Sequence, residues 1–247
     1  KGVGGTWYWN RYPGARCDVE SVQYSYQFDT ELEQEWTWSE KYSTQPEILR
    51  YANHVADRFD LRDNIQFETC VISAEYSEAD KLWVLETDRN EKVSSRYCVF
   101  ATGCLSSSNV PKFEGYETFK GLSYHTGRWP HEGVNFSGLR VGVIGTGSSA
   151  IQSIPEIAKE ASQLTVFQRT ANYTIPARNS ELTEDYVSSI KADYPGLRER
   201  ARNKPAGYDI PLNSQSVLEV SREDANIEFQ RRWELGGTQF LGAYGDP

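Results

Sequence analysis

Arg140-Val141-Gly142-Val143-Ile144-Gly145-Thr146-Gly147-Ser148-Ser149-Ala150 is the stretch that decides how this chain folds. Its first five residues, Arg140 followed by Val141-Gly142-Val143-Ile144, read as a short buried strand. A glycine turn follows at once, and the pattern after it predicts a helix over Ser148–Ala161. Pro155 should kink that helix or mark a tight junction. Leu164–Gln168 reads as the next strand. Strand, glycine turn, helix and strand together make a βαβ unit. The turn has the GxGxxA form. Gly145 permits the sharp reversal, Gly147 lets the backbone approach a pyrophosphate, and Ala150 is small enough for close helix–strand packing. Phosphates would sit at the helix N-terminus, where free N–H groups and the helix dipole attract anions. A tight βα turn with no ligand is the plainer alternative.

The end of the second strand selects the nucleotide. An NAD site usually carries Asp or Glu about 20 residues after the glycines, on the ribose 2′-hydroxyl. Here the residues are Thr165-Val166-Phe167-Gln168-Arg169-Thr170. There is no acid, and a guanidinium suits a 2′-phosphate. NADP(H) is therefore expected over NAD(H), the alternative being a surface arginine at a strand end.

N-terminal to this unit, Gln66–Tyr76, Leu82–Thr87, Lys92–Ser95 and Tyr97–Ala101 read as short strands of an antiparallel meander. A helix is expected at 45–59. Thr44 and Glu47 have capping-box spacing, Pro46 lies in the first turn, and Ile48, Ala52, Val55 and Phe59 recur at helical spacing. Thr102–Asn109 is a Gly/Ser-rich crossing loop. C-terminal to the unit, helices are expected around 181–203 and 221–235. Two further clusters stand out. Gly5–Asp18 combines aromatics, a Tyr12-Pro13-Gly14 turn and an Arg16–Asp18 pair, which could line a planar ring or simply form an aromatic core. Phe119–Pro130 contains His125, which could act as a base or tie two segments together. With no acid near it in sequence, the structural role is preferred.

The chain has 247 residues, 38% apolar and 25% charged, enough to bury a real core. A net charge of −9 without a basic block argues against nucleic acid and against an anionic membrane surface. No apolar run is long enough for a transmembrane helix, and no secretory leader is visible. The four cysteines form no CxxC pair and there are only three histidines, so no metal site is expected. Such sparse cysteines suit the reducing cytoplasm. There is no Met, and the chain opens on Lys-Gly-Val-Gly-Gly, as an internal fragment of a longer protein would.

Two segments together carry a specific resemblance. FxGxxxHxxxWP at Phe119–Pro130 and GGxWxxxxYPGxxxD at Gly4–Asp18 resemble the two signatures of type I Baeyer–Villiger monooxygenases, in the style of the phenylacetone, steroid and cyclohexanone enzymes. Gly145–Ala150 with Phe167-Gln168-Arg169-Thr170 is similar to that family's NADP site. The resemblance covers residues 1–178 at least. It implies an α/β flavoprotein with two Rossmann-like dinucleotide-binding domains. The FAD domain would be incomplete, with the β-meander and linker at 1–136, and a C-terminally truncated NADP domain would occupy 137–247. It implies FAD and NADP(H) as cofactors, with a ketone and O2 as substrates and an ester or lactone as product. Thr6, Trp7, Tyr8 and Trp9 would lie along the flavin, with Tyr24, Val71 and the loop near Cys104 bordering it. Asp18 would approach the flavin and orient an active-site arginine. Arg16 and Cys17 would face the nicotinamide nucleotide. Gly145, Thr146, Gly147, Ser148, Ser149, Ala150 and Gln152 would hold the NADP pyrophosphate, with Arg169 and Thr170 at the 2′-phosphate. His125 and Trp129 would couple the domains.

Departures from the family pattern are also visible. The first GxGxxG, which would hold the FAD pyrophosphate, and the active-site arginine are not in these residues. The isolated fragment is therefore expected to be inactive and to expose apolar surface. An N- or S-oxygenating flavin monooxygenase is the nearest alternative, disfavoured by the Trp129-Pro130 ending. A non-catalytic NADP(H)-binding module is the other.

Overall fold

The structure is a computed structural model and describes residues 1–245. In chain order, the helices are α1 (Thr6–Trp9), α2 (Thr30–Glu35), α3 (Gln45–Arg58), α4 (Ser148–Glu160), α5 (Glu184–Ala192), α6 (Tyr194–Arg202) and α7 (Arg222–Leu235). The strands are β1 (Val71–Ser77), β2 (Leu82–Thr87), β3 (Lys92–Ser95), β4 (Arg140–Ile144) and β5 (Gln163–Phe167). Short 3-10 turns connect several of them. The described chain forms two compact units, one of Lys1–Arg11 with Leu49–His131, the other of Tyr12–Ile48 with the chain from Glu132 onward. Neither unit is continuous in sequence, whereas the expected division at 136/137 is.

In the first unit, β1, β2 and β3 form the antiparallel meander, with Tyr76 opposite Trp83 and Leu85 opposite Val93. The Tyr76 and Trp83 rings meet with centroids 5.6 Å apart, a cross-strand aromatic pair of the kind that fixes register. Two expected strand segments do not form. Gln66–Cys70 is turn and coil leading into β1, and Tyr97–Ala101 pairs with nothing among the described residues. A strand exists only where a neighbour completes its ladder. Without one, Tyr97 and Val99 stand 78% and 88% exposed.

In the second unit, β4 and β5 lie parallel in register from Arg140–Gln163 to Ile144–Phe167, with α4 as the crossover. The fold class is α/β, as the βαβ pattern predicts, but β4 is not the buried strand expected: in a sheet of only two strands among the described residues, Arg140, Gly142 and Ile144 are exposed. α4 runs on through Pro155 to Glu160, so the proline does not end it. The helical stretch expected at 181–203 is two helices broken at Asp193, with Pro195 in the first turn of α6. α3 begins directly after Thr44, but Glu47 does not close the expected capping box. The Glu47 carboxylate accepts from the Ser39 backbone N–H at 2.9 Å and from its hydroxyl at 2.7 Å. α2 escapes the periodicity reading because it is short. Its N-cap is Asp29, whose carboxylate accepts from the Leu32 N–H at 2.7 Å.

The core of the second unit includes Leu32, Trp38, Tyr42, Tyr194, Leu197 and Ile210. A buried ion pair crosses it. Arg198 Nε donates to Glu33 Oε1 at 2.8 Å, both side chains being 6% exposed. The same guanidinium donates to the Ser25 hydroxyl at 2.8 Å and lies 5.1 Å from the Tyr194 ring centroid. Removing one partner strands the other charge out of water. Arg198→Ala should therefore cost about 3–5 kcal/mol in urea denaturation. The double variant Glu33→Leu/Arg198→Met should recover most of that loss.

Candidate functional site

The βα turn is built as its sequence requires. Gly145 sits at φ +103°, a region that only glycine enters easily, and its N–H donates to the Phe167 carbonyl at 2.9 Å. Thr146 ties the turn to the chain after β5. Its carbonyl accepts from Asn172 Nδ2 at 2.6 Å, and its hydroxyl oxygen accepts from Gln168 Nε2 at 3.1 Å. Gly147 is different. It caps α4 at φ −73°, a backbone that any residue adopts, and a Cβ placed there would meet nothing within 4 Å. Glycine is a favoured residue at such a cap, and the open space beside it leaves the backbone accessible from outside.

The helix end points the same way. α4 has no side-chain cap and no acid in its first turn, so the first-turn N–H groups of Ser148, Ser149 and Ala150 face outward with the positive end of the dipole. Arg169 is exposed beyond β5, and among the described residues it makes no ion pair. An uncapped helix end, an open glycine and a free guanidinium suit a dinucleotide phosphate group.

One residue grouped with the pyrophosphate-binding set does something else. Gln152 faces the Tyr12–Asp18 loop. Its Oε1 accepts from the Tyr12 hydroxyl at 2.9 Å and from the Arg16 N–H at 3.2 Å. Its Nε2 donates to the Arg16 carbonyl at 3.1 Å and to Asp18 Oδ1 at 2.9 Å. Both acceptor positions and both donors of the amide are used. The loop's other edge pairs with Ser43–Gln45. Cys17 N–H donates to the Ser43 carbonyl at 3.2 Å, and Gln45 N–H to the Ala15 carbonyl at 2.7 Å. Gly14, at φ +76°, lies so close to α4 that a Cβ would collide with the Gln152 carbonyl oxygen.

Around this loop, the Arg16 guanidinium also reaches Glu40 at 3.7 Å. Tyr12 is held above its ordinary phenol range, chiefly by burial and secondarily by the nearby Asp18 charge, with a Ser149 hydrogen bond pulling back. Burial pushes the Cys17 thiol up to about 11, and Asp18 adds to this. The sequence reading overlooked Tyr12 and Glu40. The tyrosine of the YPG turn was legible as a turn residue, but nothing local told where its hydroxyl would go.

In the first unit, Gly4 and Gly5 both have positive φ and turn the chain into α1, which carries Thr6–Trp9. The Arg11 guanidinium donates to the Tyr8 carbonyl. Tyr8 and Trp9 pack edge to face at 5.0 Å, with His131 5.2 Å from Tyr8. His125 caps a 3-10 turn, its Nδ1 accepting from the Gly127 N–H at 3.1 Å. That assigns the ring proton to Nε2. Trp129 is buried, with its ring centroid 5.6 Å from that of Tyr124. Val71 and Cys104 are exposed in this unit, and Tyr24 is exposed in the other. Among the described residues, no three His, Cys, Asp or Glu are placed to hold a metal ion, and no helix is long and apolar enough to cross a membrane.

Comparison with known proteins places this geometry. The profile of the pyridine nucleotide-disulphide oxidoreductase family matches residues 22–232. The chain belongs to that family. It is 44% identical over 235 residues to a Baeyer-Villiger monooxygenase of Pseudooceanicola batsensis, covering 95% of this chain and 43% of that protein. It is 41% identical over 247 residues to phenazine N-monooxygenase PhzNO1 of Lysobacter antibioticus, covering 99% of this chain and 46% of that one. Among solved structures, an oxidised steroid monooxygenase bound to NADP is 56% identical with a TM-score of 0.95, covering 100% of this chain and 47% of that one. The resemblance to Baeyer–Villiger monooxygenases read from the motifs therefore holds along the whole chain. The chain spans somewhat under half the length of the relatives it matches.

Two predictions separate the two glycines. Gly145→Ala should destabilise the protein by about 1–3 kcal/mol in thermal denaturation, since alanine is strained at that φ. Gly147→Ala should cost less, about 0.5–1 kcal/mol, because its backbone angle suits any residue and only the glycine cap is lost. The buried thiol gives a pH dependence. Below about pH 9 Cys17 is protonated in both folded and unfolded chains. Between about 9 and 11 the unfolded chain ionises first, so stability falls as pH rises. Relative to Cys17→Ala, the unsubstituted protein should lose roughly 2–3 kcal/mol across that window, followed by chemical denaturation at each pH.

Proposed function

We propose that this chain carries the NADPH-binding part and a share of the flavin-facing surface of a Baeyer–Villiger monooxygenase. The complete protein would convert a ketone and O2 to an ester or lactone, with the second oxygen atom leaving as water. The observation that supports this most is the match over 95% of the chain to a Baeyer-Villiger monooxygenase at 44% identity. The open βα turn, with an arginine and no acid at the next strand end, agrees with it.

In this reading the outward N–H groups of Ser148–Ala150 and the bare backbone of Gly147 hold the pyrophosphate, and Arg169 with Thr170 takes the 2′-phosphate. Arg16 and Cys17 face the nicotinamide end. Thr6–Trp9, Val71 and Cys104 face the flavin. The chemistry that bound FAD would supply is hydride acceptance from NADPH and activation of oxygen for transfer to the ketone. The protein binds, orients and excludes water. Asp18, its Oδ1 taken by Gln152, keeps Oδ2 to orient a cationic side chain. We place the protein in the cytoplasm, since Cys17, Cys70, Cys98 and Cys104 are all free thiols.

Oxygenation at nitrogen is the second reading, favoured by the 41% identity to phenazine N-monooxygenase. The two separate in one assay. The complete protein, given NADPH and 18O2, should turn a cyclic ketone into a lactone with one labelled oxygen and leave a nitrogen heteroaromatic unchanged. An N-oxide without lactone would replace the first reading with the second. In calorimetry NADPH should bind in preference to NADH, and Arg169→Ala should remove at least about tenfold of that preference.

A further inference from the structure

The Gln152 amide meets the Tyr12–Asp18 loop as a neighbouring strand would. A peptide in a ladder offers one N–H and one C=O to the same residue opposite. Gln152 offers Nε2–H and Oε1 to the C=O and N–H of Arg16. Ala15 and Cys17 turn their backbone groups the other way, to Gln45 and Ser43. Around its single bridge residue Arg16, the loop thus has backbone on one edge and a side-chain amide on the other. That amide belongs to α4, four residues after Ser148 opens the helix. Its remaining two hydrogen bonds go to side chains, those of Tyr12 and Asp18.

Placing the amide here leaves no donor or acceptor for a phosphate. We propose that Gln152 is a positioning residue that transmits occupancy of the α4 N-terminus to the Arg16–Asp18 segment, rather than a ligand of the nucleotide. This rests on the reading that NADP(H) binds at that helix end. When phosphates fix the first turn of α4, the amide fixes Arg16 through two backbone hydrogen bonds and Asp18 through its carboxylate. No other residue of α4 is hydrogen-bonded to both Arg16 and Asp18 among the described residues. Gly14 sets the distance, because its missing side chain lets the turn rest on the Gln152 backbone.

Hydrogen–deuterium exchange of the complete protein, with and without NADP+, tests this. In the unsubstituted protein, NADP+ and 2′-phospho-ADP-ribose should each slow exchange in peptides covering both 148–153 and 12–19. In Gln152→Leu, protection of 148–153 should persist with NADP+ affinity changed by less than about tenfold, and protection of 12–19 should be lost when 2′-phospho-ADP-ribose, which lacks the nicotinamide that faces Arg16 and Cys17, is the ligand used for this readout. Gln152→Glu keeps the volume and both acceptor positions but loses the two donors and sets a carboxylate beside Asp18. It should give the same split and guards against misfolding of the leucine variant. Protection of 12–19 by 2′-phospho-ADP-ribose that survives in both variants overturns the proposal, as does loss of NADP+ binding in both, which would make Gln152 a direct ligand. Absence of NADP+ protection at 148–153 in the unsubstituted protein overturns the nucleotide site itself, and the coupling with it.

Discussion

The second unit depends on one side-chain amide standing where a peptide bond usually stands. The loop at residues 12–18 meets Ser43–Gln45 through one isolated bridge at Arg16, and on its other side the Arg16 backbone groups turn toward α4. Gln152 supplies the missing partner with its own amide, which has the same donor and acceptor as a peptide. A shorter amide would not span the gap, and a carboxylate or an aliphatic side chain would not offer both polarities. The Arg16–Thr44 bridge, the placement of Asp18 and the tight rest of Gly14 against α4 all follow from that match.

α4 therefore has two working parts. Its first turn is left bare, without side-chain cap or acid, which costs stability unless an anion completes it. One turn further on, its side chains hold a segment distant in sequence. Three glycines around it differ in what they need. Gly145 needs its dihedral angle, Gly14 needs both its dihedral angle and the space that a Cβ would occupy, and Gly147 serves as the cap of α4 with open space beside it.

The sequence made the βαβ unit legible almost residue by residue. Its strands are bounded by a glycine turn and a polar junction, and its helix is long enough to show a period. The meander was readable for the two strands with clear turns on both sides, Leu82–Thr87 and Lys92–Ser95. It failed at Tyr97–Ala101, where composition favours a strand but pairing is a tertiary event. It failed at Glu47, whose expected local bond yields to a better partner in Ser39. α1 and α2 were missed because four and six residues are too short for periodicity. At the site, the glycines and Arg169 were visible as local chemistry. The Gln152 contacts were not, because they join residues 134 to 140 positions apart. The same is true of the grouping of Tyr12–Ile48 with the later half of the chain, which no local signal reports.

Cys17 shows what such packing means for durability. Enzymes that handle partially reduced oxygen run the risk of oxidising themselves, and sulfur is their most vulnerable element. The oxidisable form of cysteine is the thiolate. At 7% exposure and with its titration moved to about 11, Cys17 keeps its proton throughout the physiological range. The burial that seats the loop thus also leaves sulfur beside Asp18 in its inert form.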